Sequence, residues 1–439
     1  VFKGGRGMVE EKFDAIVIGA GPSGLAAGYT MAKAGMNVII FERGDYPGSK
    51  NVMGGVLYRD PTEELISGFW EEAPVERYII QQDIWVLDDD SVITMGYQDN
   101  KFAKKPYNNF TVLRAKFDRW FAKKAEEAGA LLITETVVED LIYDDKRVVG
   151  VQTGRKDGEV KADVVILAEG VNSLIGEQAG LHPKIPPEHL AVAVKEVISL
   201  PRETIEARFN LNGDEGKTIE LVGKATEGMM GTAFIYTNEK SLSVGVGALL
   251  SDMVDANMNP NDLLEELKSH PTVAKLLQGG ETKEYLAHLI PEGGYHAIPE
   301  LYRDGLMVVG DAAMLVNGYH REGSNLAMIS GKLAGETAIE AKEAGDFSMD
   351  MLSSYKEKLD DSFIMKDMYK YKDASAFFAT NPHFFEIYPK LANEALHELL
   401  VVDGKPKRQK QRKILEKVKD KRSYFGIAKD LFNAWRVMR

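Results

Sequence analysis

The sequence predicts an α/β plus α+β fold: a parallel-sheet domain discontinuous in the chain, an inserted β-rich domain that is mainly antiparallel, and a helical C-terminal region. Three observations predict it. An apolar strand from Asp14 to Ile18 runs into Gly19-Ala20-Gly21-Pro22-Ser23-Gly24, a helical stretch to Ala34, and a second strand from Asn37 to Phe41. Far downstream, Leu306-Met-Val-Val-Gly310-Asp311 reads as another buried strand, and Gly323-Ser324-Asn325 opens a helix from Leu326 to Lys342. Between the two, from Ala191 to Leu250, alternating runs of strand character replace the strand-helix pattern.

The first unit is the βαβ dinucleotide fingerprint of a Rossmann domain in its structural context. Gly19 permits the tight turn, Gly21 lets backbone approach a pyrophosphate, and Gly24 lets the helix pack on the sheet. Pro22 and Ser23 complete the turn, where the helix N-terminus faces phosphate charge. Glu42 ends the second strand at the distance where a carboxylate accepts ribose hydroxyls, with Arg43 beside it. The loop Lys50-Asn51-Val52-Met53-Gly54-Gly55 suits close approach of a planar ring.

The next elements follow in order. Ile79 to Gln98 alternates like strands of another sheet. Leu113-Arg114 leads into a helix from Lys116 to Ala128, ended by Gly129. Ala130 to Glu135 and Arg147 to Thr153 are strands, and Asp163 to Ala168 is a buried strand ending in Glu169-Gly170. Thr232 to Tyr236 and Ser241 to Gly247 alternate, Asn261 to Leu277 is helical, and Gly293-Gly294 leads back to the Gly-Asp strand. The segments expected are a cofactor domain at 10–78, 106–180 and 291–347, second-domain strands at 79–105, a β-rich domain at 181–290, and the helical region at 348–439.

The Gly310-Asp311 strand and the following helix resemble the second FAD motif of the glutathione-reductase-like flavoproteins. There the Asp bonds the ribityl chain and the helix start points at the flavin pyrimidine edge; otherwise Asp311 is a helix cap. A reduced flavin is anionic near N1 and O2, and a helix N-terminus stabilises that charge. Gly331 and Gly335 are expected on the packing face of this helix. FAD is the expected cofactor, with Val138 and Ala168 also counted among the residues around it.

Composition sets limits. The 439 residues are 44% hydrophobic, and no apolar run approaches the roughly 18 residues of a membrane span. Cysteine is absent, which excludes disulfides, thiolate nucleophiles and zinc sites, and any Cys-ligated iron–sulfur cluster within these residues. From Asp403 to Arg439 thirteen Lys/Arg stand against four Asp/Glu, a net +9; the rest of a chain of net −13 therefore carries −22. An acidic body repels nucleic acid, so none is expected as a partner and the basic tail reads as a local contact surface. Lys3-Gly4-Gly5 can be encoded as a ribosome-binding purine run, and translation is expected to begin at Met8.

Taken together, the stretches GAGPSGLAAGYTMAKAGMNVIIFERG, KNVMGGVLY, VLRAKFDRW, VVILAEGVNS, PEGGYHAIP and GDAAMLVNGYHREGSNLAMISGKLA resemble the FixC family, flavoprotein subunits related to electron-transfer-flavoprotein:quinone oxidoreductase. The resemblance spans the chain from about Glu10, and KNVMGG and YHREGSNLAM are its most specific parts. It implies one FAD, electrons arriving from a two-subunit electron-transfer flavoprotein, and delivery to a membrane quinone, menaquinone or ubiquinone. It implies that Gly293 and Gly294 of the Glu-Gly-Gly motif approach the quinone head group, and that Arg114 contacts the FAD phosphate or ribose. Glu169 replaces the Asp of an Asp-Gly pair and reads as a structural acid. Single-chain relatives carry a [4Fe–4S] domain that this cysteine-free chain cannot hold, so a small ferredoxin-like partner subunit is implied. In bifurcating systems of this type NADH binds the electron-transfer flavoprotein, and this chain has no second dinucleotide motif of its own.

Quinone reduction takes up protons, and by position the candidate donors are Tyr295, His296, Tyr319, His320 and Arg321. Arg321 or the start of the helix at 323–325 is a candidate for stabilising a reduced anion. Phe377-Phe378, Phe384-Phe385, Tyr388, and a tail face of Phe425, Ala428, Phe432 and Trp435 offer apolar surface, beside a basic run from Lys405 to Arg422. Peripheral contact with the inner face of the cell membrane from the cytoplasm, docking of a partner subunit, or both are expected of it. The alternative is a geranylgeranyl-reductase-type flavoenzyme acting alone on prenyl double bonds, although Thr232-Ala-Phe-Ile-Tyr-Thr-Asn238 lacks the Trp and Pro of that family's aromatic stretch. Flavin monooxygenase and a non-redox binding module are further alternatives.

Overall fold

The computed structural model describes residues 12–50, 55–318, 320 and 322–439. The expected start at Met8 and the candidates Asn51, Met53, Gly54, Tyr319 and Arg321 lie outside the described residues.

Runs of β-branched and other apolar residues form a buried parallel sheet. Its strands lie in the order Leu131–Ile133, Val38–Phe41, Phe13–Ile18, Glu159–Leu167 and Leu306–Val308, with Tyr302–Arg303 antiparallel at the edge. Phe13–Ile18 is the central strand, and Ala15, Ile16 and Val17 are fully buried, as a strand covered on both faces requires. The N-terminal part of Glu159–Leu167 also pairs with Arg147–Thr153, which pairs with Val138–Asp144.

Helix Pro22–Lys33 packs between helices Ser324–Ala344 and Arg114–Glu127. Its approach to Ser324–Ala344 depends on glycine. A Cβ on Gly331 would lie 2.0 Å from the Ser23 carbonyl oxygen, and one on Gly335 3.0 Å from Thr30 Cβ. Both face the neighbouring helix, as expected from sequence. The two helices that begin at the two glycine signatures are thereby locked side by side with their N-termini at the same end of the sheet.

The second sheet is mixed, in the order Glu281–Pro291, Leu190–Ser199, Ser241–Leu249, Gly231–Thr237, Glu215–Gly223, Val75–Leu87, Asn109–Val112 and Val56–Tyr58, with Val92–Gln98 on Val75–Leu87. All of its pairings are antiparallel except Glu215–Gly223 with Val75–Leu87. One face carries its own apolar core, including Ile219, Leu221, Ile235, Val244 and Val246; the other face is turned toward the parallel domain.

Two details differ from the sequence reading. The expected boundaries at 78/79 and 105/106 do not follow sheet membership, because Val56–Tyr58 and Asn109–Val112 pair in the second sheet. Such short strands carry no local signal of which sheet they join. The helix expected from Asn261 to Leu277 is two helices, Pro260–Ser269 and Pro271–Leu277. Pro271 has no N–H to continue the ladder and holds His270 extended (ψ 129°).

The C-terminal region is helical: Met349–Asp361, Phe363–Lys370, Ala374–Ala379, Ile387–Leu400, Lys407–Lys421 and Tyr424–Met438. Tyr355 ties the first to the parallel sheet through a 2.9 Å bond from its hydroxyl to the Val308 carbonyl. Asn393 docks Ile387–Leu400 on the second sheet, donating to the Val86 carbonyl at 3.1 Å and accepting from Ser91 at 2.9 Å. Buried Asp430 anchors the last helix, pairing with Arg422 at 2.8 Å and His383 at 3.1 Å.

Candidate functional site

A cavity of about 520 Å³ lies between the parallel domain and the inward face of the second sheet. The turn of the first signature forms one wall. Gly19 has φ +104°, and a Cβ there would lie 2.3 Å from the Ala168 carbonyl oxygen; Gly24 abuts the Gly19 carbonyl oxygen so closely that a Cβ would lie 1.9 Å away. Gly21 differs: its Cβ position is open, with nothing within 4 Å, and it faces the cavity.

Both helix starts at this cavity lack a side-chain cap. Gly21 precedes Pro22–Lys33 and Gly323 precedes Ser324–Ala344, neither makes a cap hydrogen bond, and neither first turn holds an acid. Orphan N–H groups and the positive end of each dipole therefore face the same space. Glu42 supports the first turn: its two carboxylate oxygens accept from Ala20 N at 2.9 Å and Gly44 N at 2.6 Å, leaving lone pairs for a further donor. A diphosphate fits the first uncapped helix, ribose hydroxyls fit Glu42, and an anionic ring edge fits the second helix. These residues fit FAD.

The structure gathers most of the residues singled out by sequence. Gly19, Gly21, Pro22, Ser23, Glu42, Arg43, Lys50, Gly55, Arg114, Val138, Ala168, Gly170, Asp311, Gly323 and Ser324 line the cavity. Gly24 and Gly310 lie beneath its surface as packing positions; a Cβ on Gly310 would lie 2.6 Å from Ser23 Oγ. The Asn325 side chain is turned away: it donates to Tyr58 O at 2.9 Å and Thr62 Oγ1 at 3.1 Å and accepts from Tyr58 N at 3.0 Å. Its side chain therefore fastens the helix start to Val56–Tyr58.

Arg114 is not a free surface arginine. It is 7% exposed and forms a fork-on-fork pair with Asp118, Nε to Oδ1 and Nη2 to Oδ2 both at 2.8 Å. A third donor, Nη1, reaches Ser324 Oγ at 3.2 Å. Glu169 accepts from Ile175 N at 3.0 Å and Gly176 N at 2.8 Å, which is the structural role expected of it.

The described donor candidates, Tyr295, His296 and His320, stand apart from the cavity wall. Tyr295 stacks edge-on against Tyr369 and His296, His296 lies 3.5 Å from Asp373, and His320 shares a 2.9 Å hydrogen bond with Tyr371. Gly294, at φ +65°, and Gly293 begin this aromatic cluster, and the preceding Glu292 lines the cavity.

Sequence reasoning missed four titratable side chains on the sheet wall: Lys195, Glu220, His288 and Glu292. For Lys195, Glu220 and His288 the signal was present as charged or polar residues interrupting apolar strands, in AVAVKEVI, TIELV and LAHLI. Lys195 is 4% exposed and, among the described residues, its ammonium makes no hydrogen bond or ion pair; burial and the nearby Arg114 guanidinium push it down to about 8. Glu220 accepts from the Tyr236 hydroxyl at 2.7 Å. Burial, with Arg114 and Arg43, pushes His288 down to about 4. Burial pushes Glu292 up to about 7, and pushes Asp311 up to about 6 against the opposing pull of Arg114.

A pH signature follows. Glu292 and Asp311 hold protons more tightly when folded. The stability they contribute is complete below about pH 4 and is lost as pH rises through about 6 and 7. His288 has the opposite sense: its contribution is complete above about 6.5 and lost as pH falls through about 4. From about pH 6.5 to 8, Glu292 therefore dominates among these groups. Urea melts of cofactor-free Glu292→Gln are expected to lose less stability over that interval than wild type; parallel curves would refute the assignment.

The chain matches three described families. The ETF-QO/FixC family C-terminal domain matches residues 374–439, and two FAD dependent oxidoreductase families match residues 14–183 and 107–337. "Protein FixC" of Bradyrhizobium diazoefficiens is 52% identical, covering 98% of this chain and 100% of the relative. "Probable electron transfer flavoprotein-quinone oxidoreductase YdiS" of Escherichia coli K12 is 40% identical, covering 93% of this chain and 95% of the relative. Among solved structures, a geranylgeranyl bacteriochlorophyll reductase-like protein from Thermoplasma acidophilum superposes with a TM-score of 0.72 at 20% identity, over 97% of this chain and 99% of that one. The flavin-dependent brominase Bmp2 superposes at 0.65 and 19% identity, over 88% and 92%. These two likenesses report the fold, an FAD-dependent oxidoreductase architecture shared by several chemistries.

Proposed function

The chain belongs to the ETF-QO/FixC family of FAD-dependent oxidoreductases, and from that premise we propose that it is an electron-transfer subunit that takes electrons from a two-subunit electron-transfer flavoprotein and passes them to a membrane quinone. The observation that carries the reading is the course of Glu292-Gly293-Gly294. Glu292 lines the flavin cavity while the next two residues lead out of it, so a head group on the Gly293–Gly294 backbone is close to the cavity. FAD supplies the redox chemistry. The protein's part is to hold the diphosphate at the uncapped start of Pro22–Lys33, to place the second helix start and Lys195 where negative charge develops, and to keep Asp311 and Glu292 available for protons.

An iron–sulfur relay, in this reading, resides on a separate ferredoxin-like subunit, since the chain has no cysteine for cluster ligands. Membrane contact is peripheral. No helix among the described residues is long and apolar enough to cross a membrane. Phe425, Leu431, Phe432 and Trp435 of the last helix are 55–81% exposed, beside the basic helix Lys407–Lys421. The aromatics from Phe377 to Tyr388 instead pack on one another, half-buried.

The test is reconstitution. Anaerobic FAD-loaded protein, mixed with its reduced electron-transfer flavoprotein and ferredoxin-like subunit on anionic liposomes containing menaquinone, is expected to form quinol. Quinol formation that is equally fast without this chain, or reduction of a prenyl double bond by this chain alone, would overturn the reading.

A further inference from the structure

Among the described residues of the cavity wall, Glu292 alone combines the following properties. It directly precedes Gly293 and Gly294, and its backbone is pinned by a 2.8 Å bond from its N–H to the His189 carbonyl. Its carboxylate crosses to the flavin side: a Cβ built on Gly318 would lie 2.5 Å from Glu292 Oε2. Gly318 belongs to the loop that leads to the uncapped start of Ser324–Ala344. The carboxylate makes no hydrogen bond or ion pair among the described residues, although it faces the cavity.

A carboxyl left without a protein partner in an enclosed space carries a large desolvation cost when ionised and is best satisfied as the neutral acid. The other titratable groups of the described cavity wall come from every surrounding element: Asp311 and Arg114 on the flavin side, Glu42, Arg43 and Lys50 at and after the end of Val38–Phe41, Glu139 on Val138–Asp144, Glu169 after Glu159–Leu167, and Lys195, Glu220 and His288 on the second sheet. None of them bonds Glu292.

We infer that Glu292 is the proton donor to the quinone as it is reduced at Gly293–Gly294, an inference that rests on the quinone reading above. Quinone reduction takes two electrons and two protons. Bound reduced FAD would supply the electron pair and one proton, becoming oxidised; the second proton leaves Glu292. One O–H bond forms at each quinone oxygen, the Glu292 O–H bond breaks, and the carboxylate is reprotonated from water.

The experiment uses the FAD-loaded full chain, photoreduced without oxygen and mixed in a stopped-flow instrument with decylubiquinone. Glu292→Gln is expected to slow flavin reoxidation by on the order of 100-fold and to leave FAD content and photoreduction unchanged. Wild-type reoxidation is expected to fall as pH rises through about 7, and this inflection is expected to vanish in Glu292→Gln and return in Glu292→Asp. The readout independent of turnover is infrared titration of the cofactor-free protein, where a protonated-carboxyl stretch is lost through the same pH range in wild type and is missing in Glu292→Gln. Glu292→Gln with the wild-type rate, or slowed but with the inflection intact, overturns the donor role and leaves the quinone reading standing. Wild type that holds FAD yet is not reoxidised by decylubiquinone overturns the quinone reading, and the donor role with it.

Discussion

Gly24→Val is expected to purify as an apoprotein. The Cβ position of Gly24 lies 1.9 Å from the Gly19 carbonyl oxygen and 3.1 Å from Ala168 Cβ. The first neighbour is backbone, and no side-chain rotation relieves it. The turn from Gly19 to Gly24 must open, and the orphan N–H groups of the Pro22–Lys33 N-terminus then no longer face the diphosphate. Overpacking of this kind costs about 3 kcal/mol or more. FAD affinity is expected to fall by at least about 100-fold, equivalent to about 2.8 kcal/mol. Gly28→Ala on the same helix is the control: its Cβ would meet only Ile40, Cδ1 at 2.5 Å, a flexible end that can turn aside. Flavin absorbance per mole of protein and thermal melts with added FAD check both. Stoichiometric FAD in Gly24→Val would show that the turn tolerates a side chain and that the signature is misread.

Arg114→Leu is expected to destabilise the fold by about 3–5 kcal/mol. Asp118, fully buried, is held by the Arg114 fork at both carboxylate oxygens. Removing the cation takes a two-pronged, charge-assisted pair from a buried anion and a donor from Ser324 at the start of the second helix. It also removes the positive charge that restrains Asp311, so Asp311 is expected to titrate still higher than about 6. Arg114→Leu/Asp118→Leu is expected to recover much of the loss, because a packed apolar pair carries no desolvation cost. Urea denaturation of the two variants distinguishes the cases. A single variant within about 1 kcal/mol of wild type, or a double variant worse than the single, would mean that the pair does not hold this wall together.

The Gly19–Gly24 turn, Glu42 and the packing glycines Gly331 and Gly335 were legible, since each is a local steric requirement written as a missing side chain or a strand-end acid. Asp311 and the helix start at Ser324 were legible for the same reason. Arg114 was seen as a cofactor contact, but its partner four residues on in the same helix was not. Lys195, Glu220 and His288 were visible only as charged or polar letters inside apolar strands. The break at Pro271 was present in the sequence and was overrun by a helical pattern that continued on both sides.

The sequence by itself determined the FAD-dependent oxidoreductase α/β architecture, the two glycine-marked helix starts that open on one cavity, and the impossibility of a thiolate-held cluster in these residues. It did so because backbone clearance, helix dipoles and ligand chemistry depend on residues adjacent in the chain. Only the tertiary structure decided which sheet the short strands Val56–Tyr58 and Asn109–Val112 join, and which face of Leu190–Ser199 and Glu281–Pro291 meets the cavity. It alone brought Glu292 against Gly318. A strand alternates its side chains between two faces, and nothing local says which face will be covered by core and which by a cofactor; that choice is made when two sheets distant in sequence close on one another.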